Sequence, residues 1–266
     1  MLAEKLIAAN DGALLVPPFT QQHPGLTPDG GYAAARALHE HRLSRGWKPV
    51  GRKVGFTNTT IWKRYGVTGP MWNFIYDSTV HDLAAAPVFD LTGLPEPRIE
   101  PEIVLHLAQA PDPSMDEHAL LGCIDWVAHG FEIVQSVYPN WILTGPESAA
   151  AFGLHGALFI GARHPVAADR NRWEARLRSF AIRLCNRGAL VAEGHASHVL
   201  GGPLSALRFL IAEIARFAVN APLRAGEIIT TGTLTDAQPI RPGDTWSTEL
   251  SGIPIDGIDL TFTGKA

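Results

Sequence analysis

Arg98-Ile99-Glu100-Pro101-Glu102-Ile103-Val104-Leu105-His106-Leu107 alternates with period two, the pattern of a strand with one apolar face. Ile99, Pro101, Ile103, Leu105 and Leu107 take one face; Glu100, Glu102, Val104 and His106 take the other. At about 3.3 Å rise per residue, Glu100 and Glu102 point the same way with Cβ atoms roughly 6 to 7 Å apart. Further along, Gly130-Phe131-Glu132-Ile133-Val134 sets a third carboxylate in a second apolar run. A carboxylate is costly to bury alone, so three in runs that read as buried require a cation between them. All three are hard oxygen donors, and no Cys or His stands beside them at zinc-like spacing, which favours Mg²⁺ or Mn²⁺. Three carboxylates leave roughly three positions of an octahedron for water or a chelating substrate. The competing reading of Glu-x-Glu is the solvent face of an edge strand.

Composition is that of a globular protein: 266 residues, 46% hydrophobic and 18% charged, enough for a large core in one domain with an appended segment. A net charge of -4, with no run of Arg and Lys to track phosphates, argues against nucleic acid as a partner and for small molecules. Cys123 and Cys185 do not make a disulfide framework, and no apolar run reads as a membrane span. The opening MLAEKLIAANDGALLV has early acidic residues and no basic stretch before a long apolar one, so the expected location is cytoplasmic.

The chain opens with a short helix over residues 2–9. Thr27-Pro28-Asp29 then supplies an N-cap with proline in the first turn of a helix that runs to Gly46. Val50 to Phe56 reads as a strand and Thr59 to Tyr65 as a helical turn. The proline-rich stretch 83–97 predicts a boundary between an N-terminal lobe (1–95) and a catalytic core (96–266). After Glu132 the expected strands are 157–161, 177–184, 189–193, 227–232, 245–250 and 258–262. One helix, from Pro203 to about Val219, carries the stripe Leu204, Leu207, Leu210, Ile211, Ile214 and Phe217. Many short strands with 26 glycines and 20 prolines predict an α+β fold, a mixed β roll or barrel-like sandwich with flanking helices and an N-terminal helical segment.

Several motifs occur together and in order: Gly25-Leu26-Thr27, Val50-Gly51-Arg52-Lys53-Val54-Gly55-Phe56-Thr57, the Glu-x-Glu, Glu132, Asn186-Arg187-Gly188, Val199-Leu200-Gly201-Gly202-Pro203 and Gly226-Glu227-Ile228-Ile229-Thr230-Thr231-Gly232-Thr233. In these the chain resembles the fumarylacetoacetate hydrolase superfamily, in its branch of 2-oxo-pentenoate hydratases and 4-oxalocrotonate decarboxylases. The resemblance implies that Glu100, Glu102 and Glu132 hold Mg²⁺, that Lys53 faces the substrate, and that Thr233 touches the ligand's carboxylate. It implies a hydro-lyase of aromatic meta-cleavage catabolism, adding water to 2-hydroxy-2,4-dienoates through a metal-chelated dienolate. The alternatives are a 2-oxo-hexenedioate decarboxylase, a carbon-carbon hydrolase of acylpyruvates, and a non-catalytic assembly subunit. The family also implies a homo-oligomer, with association between related decarboxylase and hydratase chains.

On pattern alone Lys53 is equally an exposed edge-strand lysine, and Thr233 a turn threonine bonded to its own backbone. The chain departs from the family near Glu147-Ser148-Ala149-Ala150-Ala151-Phe152, where relatives carry an Asp-Asn-Ala-Ser-like stretch. His155, between Gly153 and Gly156, is a candidate to replace a lost polar group as a proton shuttle, against a structural histidine. His106 shares the face of Glu100 and Glu102 and is a candidate to support the metal ligands. Trp62, Trp72, Trp126 and Trp141 suggest an aromatic-walled cavity, or simply core.

Overall fold

The structure is a computed structural model and describes residues 2–167, 169–216 and 220–264. Helices α1 (Leu2–Asp11) and α2 (Pro28–Ser44) open the chain, followed by β1 (Pro49–Gly55), the single turn α3 (Trp62–Tyr65), β2 (Met71–Tyr76), β3 (Val80–Asp82) and β4 (Val88–Asp90). The long strand β5 (Arg98–Leu107) is joined through α4 (Glu117–Leu121) to β6 (Ile124–Val134). Then come α5 (Gly145–Ala150), β7 (His155–Pro165), α6 (Arg170–Arg178), β8 (Ala181–Asn186) and β9 (Ala189–His195). The chain continues through α7 (Pro203–Ala215), β10 (Ile228–Thr233), β11 (Gln238–Pro239), β12 (Thr245–Ser251) and β13 (Asp259–Thr263).

The strands form two sheets. The larger runs β2-β1-β10-β5-β6-β7-β3, with β11 on β5, and the smaller runs β4-β13-β12-β8-β9. The larger sheet curls: Ile75 of β2 packs in one cluster with Leu158 and Ile160 of β7, near the other end of the strand order. One end of its outer face, through Ile99, Phe131 and Phe159, packs on Trp246, Leu260 and Phe262 of the smaller sheet. The other end, through Ile103, Leu105 and Ile229, packs on the stripe Leu204, Leu207, Leu210 and Ile211 of α7. Each such fully buried side chain is worth about 1.5 to 3 kcal/mol of transfer free energy, and together they hold the strands that carry the carboxylates.

The α+β fold is the expected one. Thr27 caps α2 as read, its hydroxyl accepting from Gly30 N at 3.2 Å. Two readings need correction. Past Glu132 there are three helices of α type rather than one, since α5 and α6 join α7 among the described residues. The expected strand 177–184 is split between the end of α6 and β8: Leu177, Phe180, Ile182 and Leu184 are all buried, and that apolar run imitates a continuous strand. The expected end of the last helix, with Phe217, lies outside the described residues. β1 to β4 precede residue 96, yet β1 pairs with β10, β3 with β7 and β4 with β13. The segments on either side of the expected 95/96 boundary therefore share both sheets. Ala196–Ala215 reaches 20 residues at a hydropathy of 1.2. Only 13 of those residues form α7, about 20 Å at 1.5 Å per residue against roughly 30 Å of hydrocarbon, and α7 packs in the core.

Candidate active site

Glu100 and Glu132 are register partners on β5 and β6, directly opposite on one face, and Glu102 follows one pleat along. Like charges placed so are destabilising on their own. One oxygen from each carboxylate falls within 4.8 Å of the others, and Glu102 and Glu132 are fully buried.

The backbone around the acids is adapted to them. β10 carries one extra residue against β5 between Thr230 and Thr233, a β-bulge, with Gly232 at φ +97°. The Gly232 N–H donates to Glu102 Oε2 at 2.6 Å. Ile103 stands opposite this irregularity, its carbonyl accepting from the Thr231 hydroxyl at 2.9 Å, and just past it the Pro101 carbonyl accepts from Leu234 N at 2.9 Å. On the other side of β10, β1 presents Lys53, whose Nζ lies 3.2 Å from Glu132 Oε1 and donates to Gly153 O at 2.9 Å.

That carbonyl is placed by an unusual turn: Phe152, Gly153 and Leu154 all have positive φ, 56°, 60° and 66°. Such conformations cost on the order of 1 kcal/mol or more at each non-glycine residue and persist where surroundings enforce them. A Cβ at Gly153 would meet Lys53 Cδ at 2.9 Å, so glycine is what lets the lysine stem pass. Asn73, the register partner of Lys53 on β2, donates to Ala149 O at 2.9 Å and ties α5 to the same sheet. Glu147, wholly buried, accepts from the N–H and hydroxyl of both Thr20 and Thr144, fixing α5 against the N-terminal segment.

His155 stands behind Glu132. Its Nδ1 lies 2.8 Å from Glu132 Oε1 and its Nε2 lies 2.9 Å from Thr79 Oγ1, which donates to Tyr76 O. A proton shuttle needs a ring nitrogen free toward the cavity, and both are engaged here. His106 is at the far end of β5, paired with Asp125 at 2.6 Å and stacked on Trp126, away from the acids. His129, fully buried, bonds through Nδ1 to Glu102 O and through Nε2 to Thr248 Oγ1, and burial lowers its pKa to about 4. Of the four tryptophans, only Trp141 borders the cavity; Trp72 is in the core and Trp62 donates to Phe56 O.

Of the three carboxylates, Glu100 opens onto a cavity of about 340 Å³, bordered also by Lys53, Arg64, Arg98, Ser148 and Thr233. Thr233 reaches the cavity, while its hydroxyl donates to Thr235 O at 2.8 Å. Arg64 was not read from the sequence, and Ser148, Gly153 and Arg98 appeared there only as members of longer stretches, with no role at the cavity. Only Gly153 carried a signal, as the glycine before Leu154-His155.

Burial pushes Glu100 up to about 7 and Glu102 well above the ordinary carboxylate range, and the neighbouring acids add to both shifts. Burial acts the same way on Glu132, but Lys53 and His155 outweigh it and hold that carboxyl low. Lys53 is disfavoured as an ammonium by burial, yet the three acids hold its pKa above the ordinary value. The oxygens divide cleanly. Glu132 Oε1 faces Lys53 and His155 while Oε2 has no partner; Glu102 Oε2 accepts from Gly232 N while Oε1 has none. Two orphaned buried carboxylate oxygens, with Glu100 beside them, fit a hard divalent cation.

No family model matches the chain. It is 27% identical over 259 residues to 2-hydroxyhexa-2,4-dienoate hydratase of Comamonas testosteroni, covering 97% of this chain and 96% of that one. Its fold superposes on 4-oxalocrotonate decarboxylase from Pseudomonas putida G7, a structure complexed with magnesium and adipate, with a TM-score of 0.88 and 25% identity over 98% of this chain and 95% of that one. A yeast fumarylacetoacetate hydrolase family protein shares the fold at a TM-score of 0.58 and 16% identity, over 80% of this chain and 92% of that one. With its curled sheet and carboxylate triad, the chain has the fold of the fumarylacetoacetate hydrolase family proteins. In sequence it is similar to 2-keto-4-pentenoate hydratase of Paraburkholderia xenovorans, 28% identical over 94% of this chain and 90% of that one, and to 4-oxalocrotonate decarboxylase of a Pseudomonas species, 27% identical over 95% and 92%.

Proposed function

We propose that this protein is a divalent-metal-dependent hydro-lyase that adds water to 2-hydroxy-2,4-dienoates in aromatic catabolism. The observation that carries the reading is the set of unshared oxygens on Glu102 and Glu132, grouped with Glu100 beside Lys53 at the head of the cavity. These three carboxylates would hold Mg²⁺ or Mn²⁺. When bound, the cation supplies fixed positive charge for the negative charge that develops on the C2 oxygen of a 2-oxo acid.

In the net reaction the C2 hydroxyl loses its proton as C2 becomes a ketone, C3 and C5 each gain a proton, and C4 gains the hydroxyl of water, giving a 4-hydroxy-2-oxo acid; the enol proton and the proton of water balance the two gained at carbon. Lys53 has three ammonium hydrogens, two of them directed to Glu132 and Gly153 O, so the third serves the substrate or moves a proton. His155 orients Glu132 from behind, as outer partners orient metal ligands. Thr233 borders the substrate carboxylate. We also propose a cytoplasmic homo-oligomer, able to associate with a related decarboxylase or hydratase; light scattering of the purified protein, alone and mixed, reads this directly.

The decarboxylase reading is kept by the likeness to 4-oxalocrotonate decarboxylase. Protein with Mg²⁺ is incubated with 2-hydroxypenta-2,4-dienoate, 2-oxo-hex-3-enedioate and an acylpyruvate, following ultraviolet loss and gas release. Loss of absorbance without CO₂ supports the hydratase, and CO₂ the decarboxylase; pyruvate from the third compound would replace both with a hydrolase. Glu102→Gln is expected to abolish metal binding and turnover. Lys53→Ala is expected to keep the metal, by calorimetric titration, and lose roughly 10²-fold or more in kcat; full activity in either variant removes that residue from the site.

A further inference from the structure

Two guanidinium groups border the cavity away from the metal ligands. Arg98 is on the same face of β5 as Glu100, one pleat before it, and its Cζ lies 4.2 Å from the Trp141 ring centroid. Stacking of this kind fixes the plane of the guanidinium while leaving its edge N–H groups free. Arg64 comes from α3, with its Cζ 5.5 Å from the Tyr65 ring. Among the described residues neither guanidinium is hydrogen-bonded or ion-paired. The nearby Glu96 carboxylate accepts from Asn140 N at 2.9 Å.

The two ends of the cavity are built from different groups. At its head, three carboxylates and Lys53 would be brought to zero by a divalent cation. Toward the rim stand Arg64, Arg98 and Asp236, and Glu96, also within electrostatic reach of Arg98, accepts from Asn140 N, so the two guanidiniums border the cavity with no hydrogen-bonded or ion-paired acid of their own. The two arginines also repel, since each stands within electrostatic reach of the other. An anion between them would remove the repulsion and use the planar N–H edges that stacking leaves open.

We propose that Arg64 and Arg98 form a second anion subsite, which selects 2-oxo acids bearing a further carboxylate at the end remote from the metal. This rests on the 2-oxo acid reading of the site and names the substrate class within it: dicarboxylic dienoates rather than monocarboxylic ones. A carboxylate held by two guanidiniums is stabilised as the anion, which opposes its loss as CO₂ and suits water addition elsewhere on the chain.

The test compares two unreactive ligands that differ only at the far end, 2-oxoadipate and 2-oxohexanoate, by calorimetric titration with Mg²⁺ present. The wild type is expected to bind 2-oxoadipate roughly tenfold or more tightly over 2-oxohexanoate. Arg64→Gln, at an exposed position, and Arg98→Met, which keeps the stem on Trp141, should each cut that preference to about threefold or less. Equal binding of the two acids by the wild type, or an undiminished preference in both variants, overturns the subsite. Failure of the underlying reading has a different signature: neither acid then binds in a Mg²⁺-dependent way, and both proposals fall.

Discussion

The two oxygens of Glu132 have different surroundings: Oε1 is shared by Lys53 and His155, and Oε2 is buried without a hydrogen-bond partner. Because the folded-state pKa values of Glu100 and Glu102 lie above the ordinary 4.5, the metal-free site favours protons there. The stabilisation this gives the metal-free fold is complete below about 4.5 and is lost as pH rises through the raised values, about 7 for Glu100. A cation replaces those protons, so Mg²⁺ binding should weaken with falling pH and release protons. The measurable outcome is a Mg²⁺-induced rise in Tm that grows from pH 5 to pH 8 by scanning calorimetry; an equal rise at both would contradict it. Gly153 gives a second prediction at this scale. Gly153→Ala meets both a positive φ and the Lys53 stem, so it should cost on the order of 1 to 2 kcal/mol in urea unfolding and roughly 10²-fold in kcat. The acids stood out as charges in apolar strands, whereas Lys53 was ambiguous on pattern and was singled out by the family resemblance. Arg64 and Arg98 were not, because an arginine beside a cavity has the same local sequence as one in solvent.

At the scale of elements, period two in β5 told which side chains share a face, and the β5–β6 register then set Glu132 opposite Glu100. The bulge in β10 was invisible, because Thr231-Gly232 becomes irregular only relative to the partner strand. His129 joins the sheets, bonding to Glu102 O on one side and to Thr248 of β12 on the other. Its folded pKa of about 4 against an ordinary 6.5 means its neutral form is favoured. Stability is therefore lost as pH falls from about 6.5 toward 4, by up to about 3 kcal/mol. His129→Gln, which lacks this titration, should show a flatter urea-midpoint profile over that window; parallel profiles would show that the ring does not titrate there.

For the whole molecule, the sharing of both sheets by the segments before and after residue 96 predicts one cooperative unfolding transition. Coincident melts by near- and far-ultraviolet circular dichroism check this, and two separated transitions would show that the lobes unfold apart. The proline-rich stretch looked like a boundary because its turns interrupt periodicity. Pairing of β1 with β10 and β4 with β13 spans far too much chain to be seen locally. By itself the sequence determined the residue chemistry and the strand faces, since alternation and charge are local properties of the chain. Only the tertiary structure decided which carboxylate oxygens are left unshared, that His155 braces Glu132 rather than facing the cavity, and that two arginines border the far wall. Each of those depends on distances between segments remote in sequence, set by how the sheet curls.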